Sequence, residues 1–149
     1  MHKKRIQNLQ QLMDKNDVDC LLLFAGVDLF YATNLQIHPS ERPTIAIIPQ
    51  NKEPILLCPG FEEKRMSETA IVSNIETWEE DENPFKKLRA ILKSLGFEKS
   101  TIALDNKLWY EWYLKIEQQL TDVTFTNSTK IIQEARLIKS EAELNIMRK

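Results

Sequence analysis

The sequence predicts an α/β domain with a mixed sheet of five or six short strands and helices on both faces. Three observations carry this reading. Short continuous apolar runs, such as Cys20-Leu21-Leu22-Leu23-Phe24, suit strands covered on both sides. Segments with apolar residues at helical spacing alternate with those runs. One polar connection, Pro49-Gln50-Asn51-Lys52, is short enough to make its flanking runs an antiparallel hairpin. The 149 residues, 42% hydrophobic and 28% charged, can bury roughly 70% of the unfolded surface in one core.

The first helix is expected over 3–16, where Ile6, Leu9, Leu12 and Met13 share a face. A strand over 19–24 follows, then a turn at Ala25-Gly26-Val27-Asp28 and a short helix over 29–33. Strands are expected over 44–48 and 54–57, a helix over 61–67 after Pro59-Gly60, and a fourth strand over 71–75. The clearest helix runs over 84–95. Asn83 is its N-cap, Pro84 its first residue and Gly96 its left-handed C-terminal cap. Its apolar stripe is Phe85, Leu88, Ile91, Leu92 and Leu95. A strand over 101–104 leads to a helix over 107–120 that Asp105-Asn106 is placed to cap. A short strand over 123–125 precedes a helix through Ala135 capped by Asn127 or Ser128.

Ser140-Glu141-Ala142-Glu143 is a capping box that opens another helix at Glu141. So short a helix is marginal in isolation. It reads equally as a terminal helix docked on the sheet or as the start of a second domain.

Several function classes are excluded. A net charge of -2 with scattered Lys and Arg gives no nucleic-acid footprint. The longest apolar stretch, 20–27, is too short for a bilayer. The basic start lacks a signal-peptide core, so a cytoplasmic location is expected. Cys20 and Cys58 lie in apolar runs and read as buried small hydrophobes. Three glycines in all, Gly26, Gly60 and Gly96, form no phosphate-binding motif and no nucleophile elbow. A metal centre needs clustered donors, but the only histidines are His38 and His2, the latter a terminal residue expected to be unordered. No metal site is therefore expected. In Trp109-Tyr110-Glu111-Trp112-Tyr113 the rings cannot share one helical face, so part packs on the sheet and part lies at a rim. A nuclease reading fails because the first strand interior holds no carboxylate.

The segment 36–43 has functional character. His38, Glu41 and Arg42 stand between Pro39 and Pro43, which restrict the backbone. Arg42 suits bidentate capture of a carboxylate. A solvated turn with a local Glu41–Arg42 pair is the plainer reading.

Several stretches, in order, resemble the creatinase/prolidase/aminopeptidase P family. Arg5, Leu9, Leu12-Met13 and Asp17-Val18-Asp19-Cys20-Leu21-Leu22-Leu23 resemble its opening helix and first strand. Tyr31-Ala32-Thr33-Asn34-Leu35 is similar to its Tyr-x-Thr-Gly-Phe segment, with Asn34 for glycine and Leu35 for the aromatic residue. Asn tolerates the left-handed backbone glycine would supply. Ala135-Arg136-Leu137-Ile138-Lys139-Ser140-Glu141-Ala142-Glu143-Leu144 resembles the family's junction between two domains.

The resemblance implies a ribonuclease H-like N-terminal domain over 1–137, with 138–149 opening the first helix of an absent catalytic domain of the pita-bread fold. It also implies that the parent is a metal-dependent Xaa-Pro peptidase. Carboxylates and one histidine of the absent domain would hold two divalent metals, Mn, Co or Zn, and act on proline-containing peptides. The family habit of dimerising implies a homodimer in which His38, Glu41 and Arg42 line the partner's substrate pocket. The competing reading is a non-enzymatic relative that uses this domain to bind a peptide or protein.

Overall fold

The computed structural model describes residues 1–149. Helix α1 (His2–Lys15) leads into β1 (Cys20–Phe24), α2 (Val27–Thr33), β2 (Ile45–Pro49) and β3 (Ile55–Pro59). A 3-10 turn over Gly60–Glu62 runs into α3 (Glu63–Thr69). Then come β4 (Asn74–Trp78), α4 (Pro84–Ser94), β5 (Thr101–Leu104), α5 (Tyr110–Gln119), β6 (Thr124–Asn127), α6 (Thr129–Leu137) and α7 (Glu141–Met147). The six strands form one sheet in the order β4-β3-β2-β1-β5-β6. β2 is antiparallel to β1 and β3, whereas β4, β5 and β6 pair parallel with their neighbours. The mixed sheet and its two helical faces are as the sequence predicts.

β1 sits near the middle, and all five of its residues are buried. Leu21 and Leu23 join one cluster with Leu9 and Met13 of α1, Leu29 of α2 and Ile131 of α6. Cys20, Leu22 and Phe24 join the opposite cluster with Leu88 and Leu92 of α4 and Trp112 and Ile116 of α5. The alternation of a strand divides one apolar run between two cores. Both cysteines are free and buried. Burial raises the Cys58 thiol to about 12 and Cys20 still further, so both stay protonated.

Two aspartates tie β1 to β5. Asp19 Oδ2 accepts from the Thr101 amide at 2.7 Å. Asp105 Oδ2 accepts from the buried Phe24 amide at 3.1 Å, and its Oδ1 from the Lys107 amide at 2.9 Å. Burial pushes the Asp105 carboxyl above its ordinary range, against these two donors.

The local caps follow the sequence at three places. Asn83 accepts from Phe85 and Lys86, Gly96 is left-handed at φ 83°, and the Ser140–Glu143 box is closed. Asn34 occupies the left-handed region at φ 65°, as its substitution for glycine requires.

Four expectations need correction. β4 begins at Asn74, not Ile71, because Val72 and Ile71 pack on the core from the connecting segment before pairing starts. Their apolar character reflects burial and not strand pairing. α5 begins at Tyr110, because Asp105 is committed to Phe24 and Lys107 and does not cap it. Ser128 makes no capping bond and its hydroxyl is buried without a partner; Asn127 accepts from Thr129 instead. His2 is the first residue of α1, and its Nδ1 lies 3.3 Å from the Tyr31 carbonyl.

The aromatic segment divides as expected. Trp112 is buried against Phe24 and Phe85, while Tyr110 is exposed. No helix is long and apolar enough to cross a membrane.

Replacing Asp105 with Ala strands two amide donors, one fully buried. It should lower unfolding free energy by about 2–4 kcal/mol in urea titrations. Asp105→Asn, which keeps one acceptor, should cost roughly half as much.

Candidate functional site

The candidate site is the 34–44 loop between α2 and β2. Both ends are anchored. The Thr33 hydroxyl bonds the Leu29 carbonyl at 2.8 Å and accepts from the Leu35 amide at 3.3 Å. Leu35 is buried and Ile37 packs against the core. At the other end Pro43 and Thr44 are buried, and Trp78 Nε1 donates to the Pro43 carbonyl at 3.1 Å. The stretch from His38 to Arg42 is exposed. The sheet thus presents a short polar tip between two fixed points.

Arg42 organises that tip. Its Nε donates to Glu80 Oε1 at 2.6 Å and its Nη1 to Glu41 Oε1 at 2.9 Å. The guanidinium lies 5.8 Å from the centre of the Phe61 ring. The Arg42 amide donates to the Ser40 hydroxyl at 3.2 Å. Exposed pairs of this kind contribute little stability and exchange partners readily. The loop brings Glu41 and Arg42 together; His38 is exposed and takes no part in their hydrogen bonds. A cleft of about 440 Å³ opens beside Arg42, bordered by Trp78, Glu80, Trp112 and Lys115.

Sequence reading missed Glu80 and Phe61. Glu80 stands in the acidic run Glu79-Glu80-Asp81-Glu82, which is visible in the sequence, but its pairing with Arg42 depends on β4 lying beside β3.

A second cluster joins α1, α2 and α7. Arg5 Nε donates to Glu143 Oε1 at 3.1 Å, and its Nη1 to the Tyr31 carbonyl at 3.1 Å. The guanidinium also lies 4.4 Å from the centre of the Tyr31 ring. The Tyr31 hydroxyl donates to the Ala135 carbonyl at 3.0 Å. Arg136 meets the buried Asp28 at 3.3 Å. Around these contacts Leu137, Ile138, Ile146 and Met147 are 65–84% exposed. The Ser140 amide, and after it Arg5, holds the Glu143 carboxyl below its ordinary range.

No group of three or more His, Cys, Asp or Glu side chains is placed to hold a metal ion. The arrangement offers charge recognition at the loop and helix docking at the junction, with no nucleophile or general base set against an electrophile.

Known proteins share the fold and the sequence pattern of this chain. Residues 5–138 match the family model described as Creatinase/Prolidase N-terminal domain. The chain is 24% identical over 146 residues to an Xaa-Pro dipeptidase of Lactobacillus delbrueckii subsp. lactis, covering 97% of this chain and 40% of that protein. It superposes on a dipeptidase from Pyrococcus horikoshii OT3 with a TM-score of 0.85 at 28% identity, covering 96% of this chain and 39% of that one. A recombinant prolidase from Thermococcus sibiricus gives a TM-score of 0.88 at 23% identity, with 97% and 39% coverage. The chain spans about two-fifths of the length of the curated relatives it matches.

The folded state depresses the Glu143 carboxyl, so its contacts are present at neutral pH and lost as pH falls through that depressed value. Glu143→Ala removes the Arg5 pair and the half of the capping box that the Glu143 carboxylate closes on the Ser140 amide, while the Ser140 hydroxyl still accepts from the amide of residue 143. Amide exchange over 141–147 should accelerate roughly fivefold, while the melting temperature of the domain stays nearly unchanged.

Proposed function

Since the chain belongs to the Creatinase/Prolidase N-terminal domain family, we propose that it is the non-catalytic N-terminal domain of a longer, metal-dependent Xaa-Pro peptidase. The parent is a proline dipeptidase or an aminopeptidase P-like enzyme working in the cytoplasm. The observation that carries this reading is coverage. A folded unit matched over 5–138 corresponds to about 40% of relatives that include an Xaa-Pro dipeptidase.

The domain boundary falls after Leu137, where α6 ends and Ile138 turns extended. Residues 138–149 then open the catalytic domain's first helix. The exposed Leu137, Ile138, Ile146 and Met147 give that domain an apolar surface to cover, and the Arg5–Glu143 pair fixes the direction in which the chain leaves. The two divalent metals of the parent find no fitting donor set among these residues. Their ligands belong to the catalytic domain, and Mn, Co or Zn would polarise the scissile carbonyl and activate water there.

The role proposed for the loop is the one the family resemblance implies, and its chemistry is compatible with it. In a homodimer, His38, Glu41 and Arg42 border the partner's substrate pocket. Arg42 is held by exposed carboxylates and can exchange them for the carboxylate of a proline-containing peptide. His38 is free to meet the peptide from the side.

In the two-domain enzyme, combined His38→Ala, Glu41→Ala and Arg42→Ala should lower kcat/KM for an Xaa-Pro dipeptide about 10- to 100-fold, the expected loss for a charge-assisted contact. Unchanged KM and kcat would overturn the role of the loop. A parent without hydrolytic activity would favour a peptide- or protein-binding module instead.

A further inference from the structure

The two edges of the sheet differ in a way the proposed function does not use. At one edge, β4 carries Glu76 at its centre and leads into Glu79-Glu80-Asp81-Glu82. A second copy paired antiparallel there about Glu76 would set carboxylate against carboxylate, which is unfavourable. Charge on an edge strand blocks such pairing. At the other edge, β6 reads Thr124-Phe125-Thr126-Asn127, with no charge and no proline, and three of its four residues are exposed.

The hydrogen-bond directions of β6 are fixed by its partner. The Thr124 amide donates to the Ser100 carbonyl at 2.9 Å and the Ser128 amide to the Leu104 carbonyl at 2.8 Å. Residues 124, 126 and 128 therefore turn their amides and carbonyls toward β5. By the alternation of a strand, Val123, Phe125 and Asn127 turn theirs outward. An outward Phe125 is the centre that a two-fold antiparallel pairing needs, because two copies can exchange both bonds at that residue.

The side chains suit the same axis. Pairing about Phe125 sets Thr124 against the partner's Thr126, and Val123 against the partner's Asn127. Cross-strand Thr–Thr pairs are favourable, and the two Phe125 rings meet on one face. Phe125 packs edge-on to Tyr113 at 5.9 Å, and Tyr113 stacks on the exposed Tyr110 at 6.3 Å. The three rings form an aromatic row beside the edge that the pairing would continue into the second copy. α6 leaves β6 and packs on α1, so it does not cover the edge.

We propose that β6 is a self-association edge: two copies of this chain pair antiparallel about Phe125 and join their sheets into one of twelve strands. A four-residue contact with flanking tyrosines is small beside the roughly 800 Å² per partner of a standard interface, so the dimer is weak.

Sedimentation velocity of the 149-residue chain tests this. The 17.5 kDa species should give way to dimer with half-saturation at roughly 10⁻⁵–10⁻⁴ M. Thr124→Lys/Thr126→Lys sets two like-charge pairs across the axis at exposed positions. It should weaken association at least tenfold with circular dichroism unchanged. Phe125→Cys should form a disulfide-linked dimer under mild oxidation, whereas Glu76→Cys at the other edge should not. A chain monomeric at millimolar concentration, or a dimer indifferent to the two lysines, would overturn the proposal. Should the lysine variant unfold, the contrast between the two cysteine variants decides alone.

Discussion

Everything else in this structure depends on the burial of β1 from both sides. Its five residues face two separate apolar layers, α1, α2 and α6 on one side and α4 and α5 on the other. At ~25 cal/mol per Å² of apolar surface removed from water, such a strand contributes to both apolar layers at once. The same burial forbids an ionised group in its interior, because an unpaired charge there is too costly. Asp19 and Asp105 stand at its two ends and are spent on backbone amides. Functional chemistry is consequently confined to the rims.

At the rims the structure offers recognition. The 34–44 loop is pinned by Leu35 and Pro43, so Arg42 can be exposed without the segment being loose. Its carboxylate partners Glu41 and Glu80 are themselves exposed and therefore replaceable. At the junction, Arg5 links the first helix of the chain to α7 by a guanidinium that meets a carboxylate, a carbonyl and an aromatic ring together.

Much of the fold was legible because local signals and burial agreed. Cys20–Phe24, the 84–94 helix with its Asn83 cap and the Ser140–Glu143 box all carry signals within a few residues of sequence. The misplacements arose where an apolar or capping residue served something distant. Val72 packs on the core ahead of its strand, and Asp105 bonds Phe24, 81 residues away. The Glu41–Arg42 neighbourhood was legible because the two residues are adjacent in sequence. Their partners Glu80 and Phe61 were not, since only the β3–β4 pairing brings them to Arg42. The Arg5–Glu143 contact bridges 138 positions and is likewise invisible before folding.

No three or more His, Cys, Asp or Glu side chains among these 149 residues are grouped to hold a metal ion, and hydrolysis by a metal centre needs such a group. The most direct measurement is isothermal titration of the purified chain with Mn²⁺, Co²⁺ and Zn²⁺, with an Xaa-Pro dipeptide then added to the same sample. The expected result is no stoichiometric binding at micromolar metal and no release of proline. A saturable one- or two-metal isotherm accompanied by dipeptide cleavage would contradict it.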